Sequence, residues 1–194
     1  MSKGRLEAFS DGVFAIIITI MVLELRPPAT PTLEGPDGLL VQLPIFLSYA
    51  LSFTNVGIYW NNHHHLLQAS TVVNGRVLWS NLFLLFWLSL FPFVTAWMGQ
   101  DGFAPLTVAA YGVIALITGA AYSLLVRELR GVPGQAQAIE VVSGGDYKGI
   151  LSLVLYAAGI PVALAFPFVA IAMYVIVAVM WFVPDKQVEH ALRR

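Results

Sequence analysis

The 194-residue sequence contains no cysteine and very few charged residues. Without cysteine the chain can form no disulfide, no thiolate metal site and no cysteine nucleophile. Only 11% of the residues are charged, whereas soluble domains carry about 25%. Too few charges are present to cover a surface that faces water. The formal net charge of −1 also argues against nucleic acid as a partner.

Several motifs of catalysis and conduction are missing as well. The sequence has no HExxH, GxSxG or P-loop pattern, which argues against metalloprotease, serine hydrolase and nucleotide hydrolysis chemistry. We therefore expect neither an enzyme nor a bound cofactor. No TVGYG segment is present either, so the potassium filter that is built from rings of backbone carbonyls is absent.

What the sequence has in abundance is apolar residues, at 58% of the chain with a mean hydropathy of +0.78. About 20 consecutive apolar residues cross a bilayer as a helix. The pattern predicts an all-α membrane protein, a single transmembrane domain over residues 1–194. Its six membrane helices are expected at about residues 5–26, 39–62, 76–98, 104–126, 148–166 and 167–184.

The last two predicted spans lie close together, and Gly159, Pro161 and Pro167 interrupt the pattern there. Proline removes a backbone donor and disrupts helices. The two spans can therefore form a tight helical hairpin or one long kinked helix.

The distribution of positive charge supports six spans. With a cytoplasmic N-terminus, nine of the ten Lys and Arg residues fall on the cytoplasmic side and Arg26 alone falls outside. A five-span chain would move Lys186, Arg193 and Arg194 outside and would violate the positive-inside rule. We expect a multi-pass protein of the cell inner (plasma) membrane with both termini in the cytoplasm.

The first predicted span, Arg5–Leu25, is the most informative segment. At ~100° per residue, Ile16, Ile20 and Leu23 fall within about 60° of one another, and Thr19 lies beside them. We number the helix predicted over this span α1 and call these three aliphatic residues the α1 stripe. A stripe of this kind suits either packing against other helices or the lining of a pore.

The N-terminal end of this span contains Arg5, Phe9, Ser10 and Asp11 in the pattern RxxxFSD. This pattern resembles the potassium channel family of the transmembrane-protein-175 type, whose bacterial relatives carry one six-helix repeat per chain. The resemblance implies a homotetramer in the lipid bilayer, with the first helix of each subunit around a central axis. In that family the motif residues form a polar network that holds the pore helix to its neighbours.

The resemblance also assigns roles to the α1 stripe. Ile16, Ile20 and Leu23 would face the pore as a hydrophobic constriction, which gates ion flow by dewetting. Thr19 lies close to the narrow zone and is the candidate for selectivity. Its hydroxyl would replace part of the water around a permeating K⁺ ion.

His63, His64, His65 and Asn81 are predicted on the same side of the membrane as the motif. Three consecutive histidines on a helix point ~100° apart, which disfavours a shared metal or haem site. We expect one of the three to join the motif network together with Asn81.

Glu24 follows the stripe by about one helical turn, near the predicted outer mouth. In a ring of subunits its carboxylate would raise the local concentration of cations. A solvated helix end is the alternative.

Together these patterns predict a cation channel of modest selectivity for K⁺. Two alternatives stay open. A secondary transporter for a small solute or ion would fit the helix break between Gly159 and Pro167, because interrupted helices mark such folds. A proton-permeable channel is the other alternative.

Overall fold

The computed structural model describes residues 2–25, 36–143 and 146–182. The described chain is all-helical. Residues 26–35 and the C-terminal charges Lys186, Arg193 and Arg194 lie outside the described residues. The helices are α1 (Lys3–Met21, followed by the 3₁₀ turn Val22–Glu24), α2 (Pro36–Ala69), α3 (Gly75–Leu88), α4 (Phe91–Gln100), α5 (Pro105–Arg130), α6 (Ala136–Val142), α7 (Asp146–Ala165) and α8 (Pro167–Phe182).

The third predicted span is divided into α3 and α4. The division falls at Ser89 and Leu90, just before Pro92 in the first turn of α4. Proline is well tolerated in a first turn, because its missing N–H has no helical partner there. A hydropathy pattern does not register this break, since both pieces are equally apolar.

Helix α2 continues through the three histidines to Ala69, beyond the end that was predicted at about residue 62. Five polar residues, from Asn61 to His65, end the apolar run, and hydropathy alone places a membrane boundary where the helix itself continues. The short helix α6 lies in the polar connection between α5 and α7.

Helices α7 and α8 form a hairpin and not one kinked helix. Only Phe166 separates them, and the indole Nε1 of Trp181 near the end of α8 donates to Ser152 Oγ of α7 over 2.8 Å. A contact between residues so far apart in sequence requires the two helices to run antiparallel.

Two further hydrogen bonds show which helix ends lie side by side. Lys3 Nζ donates to the carbonyl oxygen of Gln68 over 3.1 Å, which places the start of α1 beside the end of α2. Gln100 Nε2 donates to Glu24 Oε2 over 3.1 Å, which places the end of α1 beside the end of α4. In the part of the chain that the structure describes, five helical segments are long and apolar enough to cross a membrane, with α3 and α4 counting as one, and α8 is a shorter apolar helix.

In the core, a tyrosine ring lies between two glycines. Tyr174 of α8 is fully buried, and its hydroxyl donates to the carbonyl oxygen of Val108 over 3.4 Å. A Cβ atom at Gly159 of α7 would lie 2.5 Å from Cε1 of this ring, and one at Gly112 of α5 would overlap its hydroxyl. The absence of side chains at both positions therefore lets α5, α7 and α8 approach.

The substitution Gly159→Ala is expected to lower the free energy of unfolding by about 1–3 kcal/mol, the usual cost of overpacking. The measurement is the midpoint of thermal unfolding of the detergent-purified protein. Gly57→Ala in α2 is the matched control, because no atom lies within 4 Å of its added Cβ. Equal midpoints for the two variants would contradict the close approach at Tyr174.

Candidate functional site

Helix α1 has one buried face and one exposed face. Its buried residues recur at helical spacing and are Leu6, Ser10, Phe14, Ile17 and Met21. The α1 stripe lies on the other face, where Ile16, Ile20 and Leu23 are 57%, 45% and 67% exposed. Packing within the protomer against α2, α3 and α4 uses the first face and leaves the stripe uncovered.

A buried chain of hydrogen bonds fixes α1 to α2 and α3. His63 Nε2 lies 2.7 Å from Asn81 Oδ1, Asn81 Nδ2 donates to Ser10 Oγ over 3.0 Å, and Ser10 Oγ donates to the carbonyl oxygen of Leu6 over 2.8 Å. An amide oxygen only accepts, so His63 donates from Nε2. All three side chains are buried. We call this series the His63 chain.

The His63 chain is buried and packs against an aromatic side chain. The ring of Phe14 packs against that of His63 with centroids 5.3 Å apart. An unmade hydrogen bond is costly in such a place because no water replaces the lost partner. The rotation of α1 is therefore tied to side chains on two other helices.

The other motif residues are placed outside this chain. Asp11 Oδ1 accepts from the indole Nε1 of Trp60 over 3.0 Å, which forms a second tie between α1 and α2. Trp60 in turn stacks on His64 with centroids 6.0 Å apart. Phe9 and Arg5 lie on the exposed face of α1, and the Arg5 side chain makes no hydrogen bond to another described residue.

The three histidines point in different directions. His63 is buried, whereas His64 and His65 are half-buried with their rings 5.6 Å apart. Within residues 2–25, 36–143 and 146–182, no three His, Cys, Asp or Glu side chains are placed to share a metal ion.

Thr19 and Glu24 have defined partners. The Thr19 hydroxyl donates to the carbonyl oxygen of Ala15 over 2.8 Å, with that of Ile16 at 3.0 Å. Its proton is therefore engaged by the helix, and its oxygen lone pairs are free to accept. Glu24 is half-buried and accepts the bond from Gln100 that joins α1 to the end of α4.

A second buried polar cluster was missed by sequence reasoning. Asn55 Nδ2 donates to Tyr111 Oη over 2.9 Å, Ser52 Oγ donates to the same oxygen over 3.3 Å, and Thr95 Oγ1 lies 2.6 Å from Ser52 Oγ. The cluster joins α2, α4 and α5. Its signal in the sequence is the spacing of Ser48, Ser52 and Asn55, which places three polar residues on one face of α2.

Comparison with known proteins places these features in context. Residues 5–92 match the family described as Endosomal/lysosomal potassium channel TMEM175. The chain is 47% identical over 195 residues to a protein named potassium channel from Chryseobacterium sp. (strain P1-3), an alignment that covers 100% of this chain and 99% of the relative. A protein from Bos taurus named endosomal/lysosomal proton channel TMEM175 is 43% identical over 75 residues, or 34% of this chain and 16% of the relative.

The fold is also similar to a solved structure. The crystal structure of a lysosomal potassium-selective channel TMEM175 homolog from Chamaesiphon minutus superimposes with a TM-score of 0.80 at 23% identity. The match covers 93% of this chain and 96% of that chain.

The substitution Asn81→Ala is expected to lower the free energy of unfolding by about 1–3 kcal/mol, because His63 and Ser10 lose their buried partner. The readout is the midpoint of thermal unfolding in detergent. Asn61→Ala is the matched control: this asparagine is exposed on α2 and its loss should change stability by less than about 0.5 kcal/mol. If both variants unfold at the same temperature, the His63 chain does not stabilise the protomer.

Proposed function

The chain belongs to the TMEM175 family of potassium channels, and on this premise we propose that it forms a homotetrameric K⁺ channel with α1 around the central axis. The single observation that supports this arrangement most is the uncovered α1 stripe. Its helix is anchored on the opposite face by the His63 chain, so every copy would present Ile16, Ile20 and Leu23 at the same rotation. Chemical cross-linking of the purified channel tests the subunit number.

The proposed constriction consists of three stacked rings of aliphatic side chains. Ile16, Ile20 and Leu23 succeed one another along about 10 Å of helix, at ~1.5 Å per residue. A cation in such a segment loses its hydration and gains no replacement, so a narrow ring blocks flow by dewetting. Conduction then requires the rings to widen until water enters with the ion.

Selectivity in this proposal depends on Thr19. Its lone pairs lie next to the stripe while its proton is bound by the helix. A ring of four such oxygens would replace some of the water lost by a permeating ion. This favours K⁺, which gives up water more easily than Na⁺, and the preference is modest because a few hydroxyls do not form a carbonyl cage.

The outer end of the proposed pore carries negative charge. Glu24 follows the stripe and is held by Gln100, and the carbonyl end of α1 contributes a partial negative charge. In a ring of subunits both would raise the local concentration of cations. We place this end outside the cell and both termini in the cytoplasm of a bacterial inner membrane, in keeping with the positive-inside rule.

Proton permeation is the second candidate function. It is favoured by the name of the bovine relative, a proton channel with 43% identity over 75 residues. A pH-sensitive dye inside the vesicles used for K⁺ flux distinguishes the two ions. Acidification under a proton gradient without K⁺ flux would support this candidate and exclude the first.

Reconstituted wild-type protein is expected to carry K⁺ across liposomes, and Ile20→Asn is expected to raise the basal flux roughly tenfold, equal to about 1.4 kcal/mol of barrier. A polar ring stays wet and removes the dewetting barrier. Ile176→Asn in α8 is the matched control, since Ile176 is 56% exposed and α8 packs on α2, α5 and α7, away from the stripe. Met21 is unsuitable for this purpose because it is fully buried.

Absence of K⁺ flux from the wild type would overturn the channel itself. Equal leak through Ile20→Asn and Ile176→Asn would instead show that the stripe faces lipid.

The substitution Thr19→Ala is expected to reduce the K⁺/Na⁺ permeability ratio, whereas Thr19→Ser should retain most of it because the hydroxyl oxygen is kept. Bi-ionic reversal potentials measure the ratio. Thr54→Ala in α2 is the control, because the Thr54 hydroxyl makes the same backbone bond, to Ala50 over 2.8 Å. Unchanged selectivity in Thr19→Ala would remove Thr19 from the mechanism and leave the constriction in place.

A further inference from the structure

A cleft with arginines at one end lies on the side of the protomer formed by α2, α5, α7 and α8. Its volume is about 420 Å³. Its lining includes Tyr59, Tyr122, Arg127, Arg130, Leu153 and Trp181. We call it the arginine cleft. None of the described residues that line it belongs to α1 or to the proposed ion path.

The cleft is long in the direction of the helices. Along α5 its lining runs from Gly119 to Arg130, about 16 Å at ~1.5 Å per residue. This is roughly half of the ~30 Å thickness of the hydrocarbon core. The cleft therefore extends from the interface at the end of α5 about as deep as one leaflet.

A glycine keeps the deep end open. A Cβ atom at Gly119 would lie 3.1 Å from Cδ2 of Leu153 and 3.5 Å from the hydroxyl oxygen of Tyr59. Any larger side chain at this position would occupy the space between α2, α5 and α7. The deep end is lined mainly by apolar and aromatic surface, which suits a hydrocarbon chain.

The shallow end carries positive charge. Arg127 and Arg130 are one turn apart on α5 and so lie on the same side of the helix. Arg130 Nη2 donates to Ser143 Oγ over 2.8 Å, which holds its guanidinium at the cleft, and Arg127 is exposed there. No acidic side chain is found among the described residues that line the cleft. The nearby Glu128 lines a different groove, beside Arg76.

Tyr122 lies on α5 between Gly119 and the two arginines, and its ring meets that of Tyr59 edge to face at 5.9 Å. The Tyr122 hydroxyl makes no hydrogen bond to a described residue. Inside a membrane such a hydroxyl is costly unless it finds an acceptor. The ester carbonyls of a glycerolipid are acceptors at this depth below the phosphate.

We propose that the arginine cleft binds one anionic phospholipid per chain from the leaflet at the end of α5. Its phosphate lies at Arg127 and Arg130, an ester oxygen accepts from the Tyr122 hydroxyl, and one acyl chain extends past Gly119. Paired guanidinium groups recognise phosphate oxygens well, and basic pockets between membrane helices bind anionic headgroups. This binding does not depend on the proposed ion path.

Native mass spectrometry of the purified full-length protein, mixed with equal amounts of phosphatidylglycerol and phosphatidylcholine, tests the proposal. Wild type is expected to retain one phosphatidylglycerol per chain in clear excess over phosphatidylcholine. Arg127→Gln should reduce this retention roughly fivefold, the effect of one basic residue at the membrane surface. Arg76→Gln on α3 is the matched control and should retain as much lipid as the wild type.

A second variant tests the deep end. Gly119→Phe should reduce the retention of phosphatidylglycerol by filling the path of the acyl chain, and gel filtration of the same sample verifies that the protein is folded. Should Gly119→Phe aggregate, the comparison of Arg127→Gln with Arg76→Gln still decides. Three results would overturn the proposal: equal retention of the two lipids, equal loss in Arg127→Gln and Arg76→Gln, or displacement of the lipid by inorganic phosphate alone.

Discussion

The arrangement of this protomer depends on the hydrogen bonds that run from His63 through Asn81 to Ser10. Three helices meet at these side chains, which are all buried. Because a buried polar group without a partner is strongly disfavoured, each helix is restricted to the rotation that satisfies the other two. The rotation of α1 is thus determined by residues on its hidden face, and the exposed position of the α1 stripe is a consequence of that constraint.

An exposed aliphatic face is not informative by itself in a membrane protein, because lipid tails are as apolar as leucine. The helix that bears the α1 stripe is tied to α2 and α3 by polar side chains, and Thr19 adds an oxygen beside the stripe. Neither feature is confined to α1, because α2 shares these hydrogen bonds and its Thr54 makes the same backbone bond. Membership of a potassium channel family, together with the exposure of the stripe, therefore supports the proposed pore assignment.

The sequence was sufficient to predict the family and the helical class, since these depend on one motif and on composition. It did not reveal which histidine is buried, because three consecutive histidines point in different directions around α2. Trp60 and Gln100 were not recognised as partners of Asp11 and Glu24. Periodicity shows which residues share a face of one helix. It does not show which faces of different helices contact each other, because that depends on how the helices pack in three dimensions.

The orientation of one hydroxyl explains why the proposed pore would favour positive charge even before K⁺ is distinguished from Na⁺. A free threonine hydroxyl can rotate and donate to an anion or accept from the water around it. The proton of Thr19 is held by the carbonyl oxygen of Ala15, so the side chain offers only lone pairs. The carbonyl end of α1 and the carboxylate of Glu24 add negative potential beyond it. All three groups attract a cation, and none of them requires a filter of backbone carbonyls.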